Sequence, residues 1–121
     1  MSTVLIAHGK RTRRIILAAY VRAAGMEPHV VSSCEDALDV LNNVPVHMVI
    51  AGASTTDRHG VAILDHMRAH GELRHIPLLL VVDHRAPFVA MADEASAILY
   101  TPLMYHDVMQ AVQHLMRAPV Y

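Results

Sequence analysis

Ten histidines in a chain of 121 residues are the first place to look for chemistry, because imidazole ligates metals and titrates near neutral pH. His66 and His70 are four apart, a spacing that sets both rings on one helix face and can clamp zinc or nickel. His8, His59 and His84, with Asp57 and Asp83, fall in stretches that read as loops at one edge of a sheet. A helical pair without a third ligand at defined spacing is more simply a solvated face, so no metal is assigned. Lys10, Arg11, Arg58 and Arg85 fall in loops on that same edge and are candidate contacts for an anion, helped by helix N-termini. No Gly-rich phosphate loop accompanies them, and scattered surface charge is the plainer reading. Ser32, Ser33, Ser54 and Ser96 lack a nucleophile elbow, Cys34 has no identifiable His partner, and no carboxylate dyad stands at recognisable spacing. No enzymatic activity and no cofactor is expected.

The stretch that must position any chemistry is His47 to Gly60, HMVIAGASTTDRHG, a buried strand running into a polar loop. In open α/β sheets, ligands gather where strands end at their carboxyl edge. Here Val49-Ile50-Ala51 is followed by Gly52 and Ala53, so no carboxylate stands at the strand tip.

The remaining elements follow from apolar periodicity. Val4 to Ala7 is a continuous apolar run, as expected of a strand covered on both faces in a parallel sheet. Thr12 is expected to cap a helix that ends at Gly25, with Ile16, Tyr20, Val21 and Ala24 facing the core. Pro28 to Ser33 reads as a second strand, Glu35 to Asn43 as a helix with Ala37, Leu38 and Leu41 inward, and His47 to Ala51 as the third strand. Val61 to His70 continues as a helix carrying Ile63, Leu64 and Met67. Ile76 to Val82 reads as an interior strand and Ala97 to Tyr100 as the last. A closing helix buries Val108, Ala111, Val112 and Leu115. Strand and helix alternate throughout, and right-handed crossovers then favour a flavodoxin-like three-layer (βα)5 sandwich with a parallel sheet in the order 2-1-3-4-5.

A hydrophobic content of 54% over 121 residues fits a single domain, 1–121, with a full core. A net charge of -1 argues against a nucleic-acid or anionic-membrane binder that works through bulk charge. The lone Cys34 excludes an internal disulfide and fits a reducing compartment. No apolar run approaches the roughly 18 residues of a membrane span, so a cytoplasmic location is expected.

These junctions, taken together, resemble the receiver domain of bacterial two-component response regulators. Counting back from Gly60, which opens the next helix, places the family's phosphoacceptor aspartate at Gly52. The acidic pair that ends the family's first strand and holds magnesium maps to His8 and Gly9, the hydroxyl residue that ends the fourth strand to Val82, and the lysine before a proline to Thr101, with Pro102 retained. The aromatic switch position maps to Ile98. The resemblance thus implies a receiver scaffold without its phosphotransfer chemistry. Hard cations want oxygen ligands, which His8 and Gly9 do not offer, and glycine has no group to phosphorylate. The stretch between Val82 and Thr101 is short for the family, which implies a stubby or irregular helix near Ala86 to Ala92.

What the resemblance implies for function is docking to a protein partner or self-association. By resemblance, Phe88, Met91, Tyr100, Tyr105 and Met109 are candidates for a dimer or output surface, and Arg11, Arg14, Ile15 and Ala18 for contact with a kinase or phosphotransfer protein. Ile15, Ala18 and Ala19 lie off the expected core stripe, and Met104, Tyr105, Met109 and Met116 ring the last helix, where methionine adapts to irregular partners. The rival reading is a small-ligand sensor at the sheet's carboxyl edge, taking a nucleotide or another anion.

Overall fold

The computed structural model describes residues 2–53, 59–83 and 96–116. Five strands, β1 (Thr3–Ala7), β2 (Glu27–Val31), β3 (Met48–Ala53), β4 (Leu78–Val82) and β5 (Ala97–Tyr100), form one sheet in the order β2-β1-β3-β4-β5. Every pairing is parallel. The helices are α1 (Arg11–Ala23), α2 (Cys34–Asn43), α3 (His59–Ala69) and α4 (Tyr105–Met116). The expected helix near Ala86 to Ala92 lies outside the described residues.

Parallel strands need crossovers, and the crossover helices cover both faces. Leu5, Ala7, Val49, Ala51, Leu78 and Leu80 point to one side and pack with Ala37, Leu41, Ile63, Leu64 and Met67 of α2 and α3. Val4, Ile6, Met48, Ile50, Leu79 and Val81 point to the other and meet Leu17, Val21, Val108 and Val112 of α1 and α4. Burying each such Leu, Ile or Val contributes about 1.5–3 kcal/mol, which is why these unbroken apolar runs settle as interior strands.

Local signals set the boundaries. Ser33 accepts a hydrogen bond from the Asp36 N–H and caps α2, with Glu35 and Asp36 in the first turn. That use of Ser33 explains why β2 ends at Val31 and not at Ser33. At the end of α1, Gly25 has φ of 80°; the Gly25 N–H donates to the Arg22 carbonyl and the Met26 N–H to the Val21 carbonyl, the two bonds of a glycine-terminated helix. β3 runs past Ala51 because Gly52 and Ala53 pair with Val81 and Val82.

α1 departs most from expectation. Lys10, not Thr12, occupies the N-cap, without a side-chain capping bond. The core face is Leu17, Ala18 and Val21, while Ile16 is 40% exposed. Ala18, expected on the outer side and as an interface residue, is therefore buried. In the unbroken run Ile15 to Val21 the apolar pattern leaves the helix face undetermined, and packing against the sheet chooses it.

Candidate functional site

The register of the sheet assembles the expected site. Ala7 pairs with Ala51, Gly52 with Val81, and Val82 with Tyr100. His8, Gly52, Val82 and Thr101 therefore stand close to one level along the carboxyl edge, on four adjacent strands. Val82 closes β4 and is buried, and Thr101 is buried just after β5, its N–H donating to the Val82 carbonyl at 2.9 Å. The following Thr101-Pro102 peptide is cis.

His8 is the residue that shapes this edge. Its side chain is 3% exposed, and its Nδ1 accepts the Lys10 N–H at 3.0 Å. A neutral ring that accepts at Nδ1 carries its proton on Nε2. The ring lies directly over Gly52: a Cβ built there would meet His8 Cδ2 at 2.7 Å, Nε2 at 2.9 Å and Cγ at 3.0 Å. Those separations are inside van der Waals contact, so the imidazole occupies the room that a side chain at position 52 would need.

Charge is laid out around His8 by the first turn of α1, which holds no acidic residue. Lys10 Nζ and Arg13 Nη2 both reach Asp83 Oδ2, at 3.3 and 3.4 Å. Arg14 Nη1 donates to the His8 carbonyl at 2.8 Å. Cations at a helix N-terminus oppose the helix dipole, and Asp83 offsets two of them while tying α1 to the end of β4. Lys10, expected as an open anion contact, thus faces a carboxylate. Arg14, expected to meet a partner, is half-buried and turned toward the strand end. Arg11 is exposed; Arg58 and Arg85 lie outside the described residues, as do Asp57 and His84.

The expected interface residues divide. Tyr100 and Tyr105 are about half exposed, and Met104 beside them is 58% exposed. Tyr105 meets Tyr20 of α1 edge to face, with centroids 5.1 Å apart, and the Tyr20 hydroxyl donates to the Leu103 carbonyl at 3.4 Å. Met109, expected fully outside the core stripe, is half-buried. Ile15 is 56% exposed. Phe88 and Met91 lie outside the described residues. Ile98, expected at the aromatic switch position, packs against the α2–α3 core. Burial pushes the Cys34 thiol up from its ordinary pKa, which disfavours the reactive thiolate.

Sequence reasoning missed the Asp83 ion pairs and the covering of Gly52 by His8. A signal for the second was present: a glycine near the end of one strand and a bulky residue just after its neighbour stand at the same level, a volume-complementary pair.

No protein-family model and no curated protein sequence matches the chain. Solved structures do. A chemotaxis response regulator of Vibrio cholerae superposes with a TM-score of 0.81 at 17% identity, over 95% of this chain and 98% of that one. The signal receiver domain of a histidine kinase from Syntrophus aciditrophicus gives 0.80 at 16% identity, over 100% and 97%. A response regulator receiver domain protein from Clostridium thermocellum gives 0.80 at 18%, over 96% and 94%. Identities this low speak for architecture, and the architecture is unambiguous: the chain has the flavodoxin-like fold of response-regulator receiver domains.

Proposed function

We propose that this chain is a phosphorylation-independent, receiver-like signalling module without enzymatic activity, which works in the cytoplasm by docking to a protein or to a second copy of itself. The observation that carries the reading is the His8 imidazole seated over Gly52. The position matching the family's phosphoacceptor has no nucleophile, and the space where an acyl phosphate would develop is filled by a ring. Phosphoryl transfer needs a cation or fixed donors on the developing charge, and neither His8 nor Val82 supplies an oxygen ligand or a hydroxyl. Partners of the kinase, phosphotransfer or output type then bind the scaffold as it stands, through the exposed surface of Tyr100, Met104 and Tyr105 or through Ile15 and Arg11 on α1.

The rival reading, a small-anion sensor at this edge, draws less support, since Lys10 and Arg13 are engaged by Asp83 and Arg14 by the His8 carbonyl. Incubation with acetyl phosphate and magnesium, followed by intact mass measurement, tests the main reading. An unchanged mass is expected, and one added phosphoryl group stable at neutral pH would overturn it.

A further inference from the structure

At the opposite edge of the sheet, the last turn of α3 carries His66, and His70 follows directly after its last residue, Ala69. Their ring centroids are 4.1 Å apart and their planes tilt by 31°. His70 Nδ1 lies 2.8 Å from the His66 carbonyl oxygen. A carbonyl can only accept, so Nδ1 holds the proton and Nε2 of His70 presents a lone pair. An imidazole N–H donated to a backbone carbonyl is the arrangement that fixes the tautomer of metal-bound histidine and raises the basicity of the other nitrogen. His66 Nε2 stands 3.4 Å from Asn42 Oδ1 at the end of α2, a long contact that places the amide oxygen beside that ring nitrogen. Beside the pair, a cleft of about 460 Å³ lined by Asn42, His70, Gly71 and Glu72 among others leaves room for coordinating water.

We propose that His66 and His70 form a two-imidazole site for a borderline divalent ion of the zinc, nickel or copper type. Two histidines one turn apart are the spacing by which a helix presents both ring nitrogens to one ion, at about 2.0–2.1 Å each for zinc. No group of three or more His, Cys, Asp or Glu converges among the described residues, so the remaining positions go to water, with the Asn42 amide oxygen within reach. Such a site is exchangeable, not structural, and imidazole nitrogen favours these ions over magnesium or calcium, which want oxygen.

The test uses the untagged full chain, titrated calorimetrically with zinc, nickel and copper chloride near neutral pH, beside His66→Gln, His70→Gln and the double variant. Both rings are at the surface, and thermal melts of each variant confirm folding. The parent is expected to bind one more equivalent than the double variant, with each single variant weakened at least roughly tenfold as the chelate falls to one imidazole. Substoichiometric ion should broaden or shift the ring resonances of His66 and His70 together. Equal stoichiometry in parent and double variant would overturn the site by placing binding on the other histidines. Loss on replacing only one of the two, or no saturable heat with any of the three ions, would do the same.

Discussion

The imidazole of His8 and the bare Cα of Gly52 fill one volume between them, with ring atoms as near as 2.7 Å to where a Cβ would stand. Because His8 is buried and anchored by the Lys10 N–H, its ring cannot swing away cheaply. Gly52→Ala should therefore destabilise the fold by about 1–3 kcal/mol, the range for overpacking a core. Adding His8→Ala should relieve part of that loss, giving a coupling of about 0.5–3 kcal/mol in a urea double-mutant cycle. Strictly additive effects would mean that the two positions do not share space. Gly52→Asp should be worse than Gly52→Ala, since a carboxylate buried without a partner is further penalised, and it should still fail to take a phosphoryl group.

Asp83 ties the start of α1 to the end of β4 through Lys10 and Arg13. Asp83→Asn should lower stability by about 1 kcal/mol, at the upper end for surface pairs because Arg13 and Asp83 are each only 20% exposed. The gap between parent and variant should narrow in about 1 M salt as screening weakens the parent's pairs. A gap that does not respond to salt would locate the effect in Asp83's other contacts.

His66 gives the chain a pH slope of known sign. Its folded pKa is depressed, first by burial and then by the charge on His70, while the unfolded chain returns to about 6.5. The unfolded state therefore binds the proton first. The contribution is fully present above the unfolded pKa and is lost as pH falls through it toward the folded value. Denaturant midpoints from about pH 8 to 5 should fall less steeply for His66→Gln than for the parent. Parallel slopes would show that other groups set the pH dependence.

Association through the β5–α4 corner is tested at its most exposed apolar residue. Met104→Glu should leave folding within about 0.5 kcal/mol, as expected of a surface change, while weakening dimerisation or partner binding by about 1 kcal/mol or more through a charge in a desolvated contact. Sedimentation and thermal melts on this variant read both quantities. Intact association with unchanged stability would turn attention to Ile15 and Ile16 on α1. Met109→Glu is a poorer probe, because Met109 is half-buried and its replacement should also depress the melting temperature.

Strand order and the two core layers were legible in the sequence because unbroken apolar runs such as Leu78 to Val82 admit few other placements, and parallel crossovers restrict the topology. The inner stripe of α4, with Val108 and Val112, was legible for the same reason: polar residues flank it and pick its face. α1 was not, since Ile15 to Val21 is apolar all round and only the sheet selects Leu17 and Ala18 over Ile16. At the site, the identities of His8, Gly52, Val82 and Thr101 could be read, but their mutual fit could not. Ring placement over a neighbouring strand depends on register and rotamer, and the Asp83 pairs join residues seventy and more positions apart.

The fit of His8 against Gly52 also acts as a ratchet on sequence change. A carboxylate introduced at Gly52 meets a ring already in its place, and an acid introduced at His8 leaves a cavity above a glycine and places a charge at a buried position. Either single step starts downhill in stability, before Val82 and Thr101, the positions expected for a hydroxyl and a lysine, are touched. A route from this pair to a phosphorylatable aspartate at Gly52 begins with a valley in stability that only a paired replacement avoids.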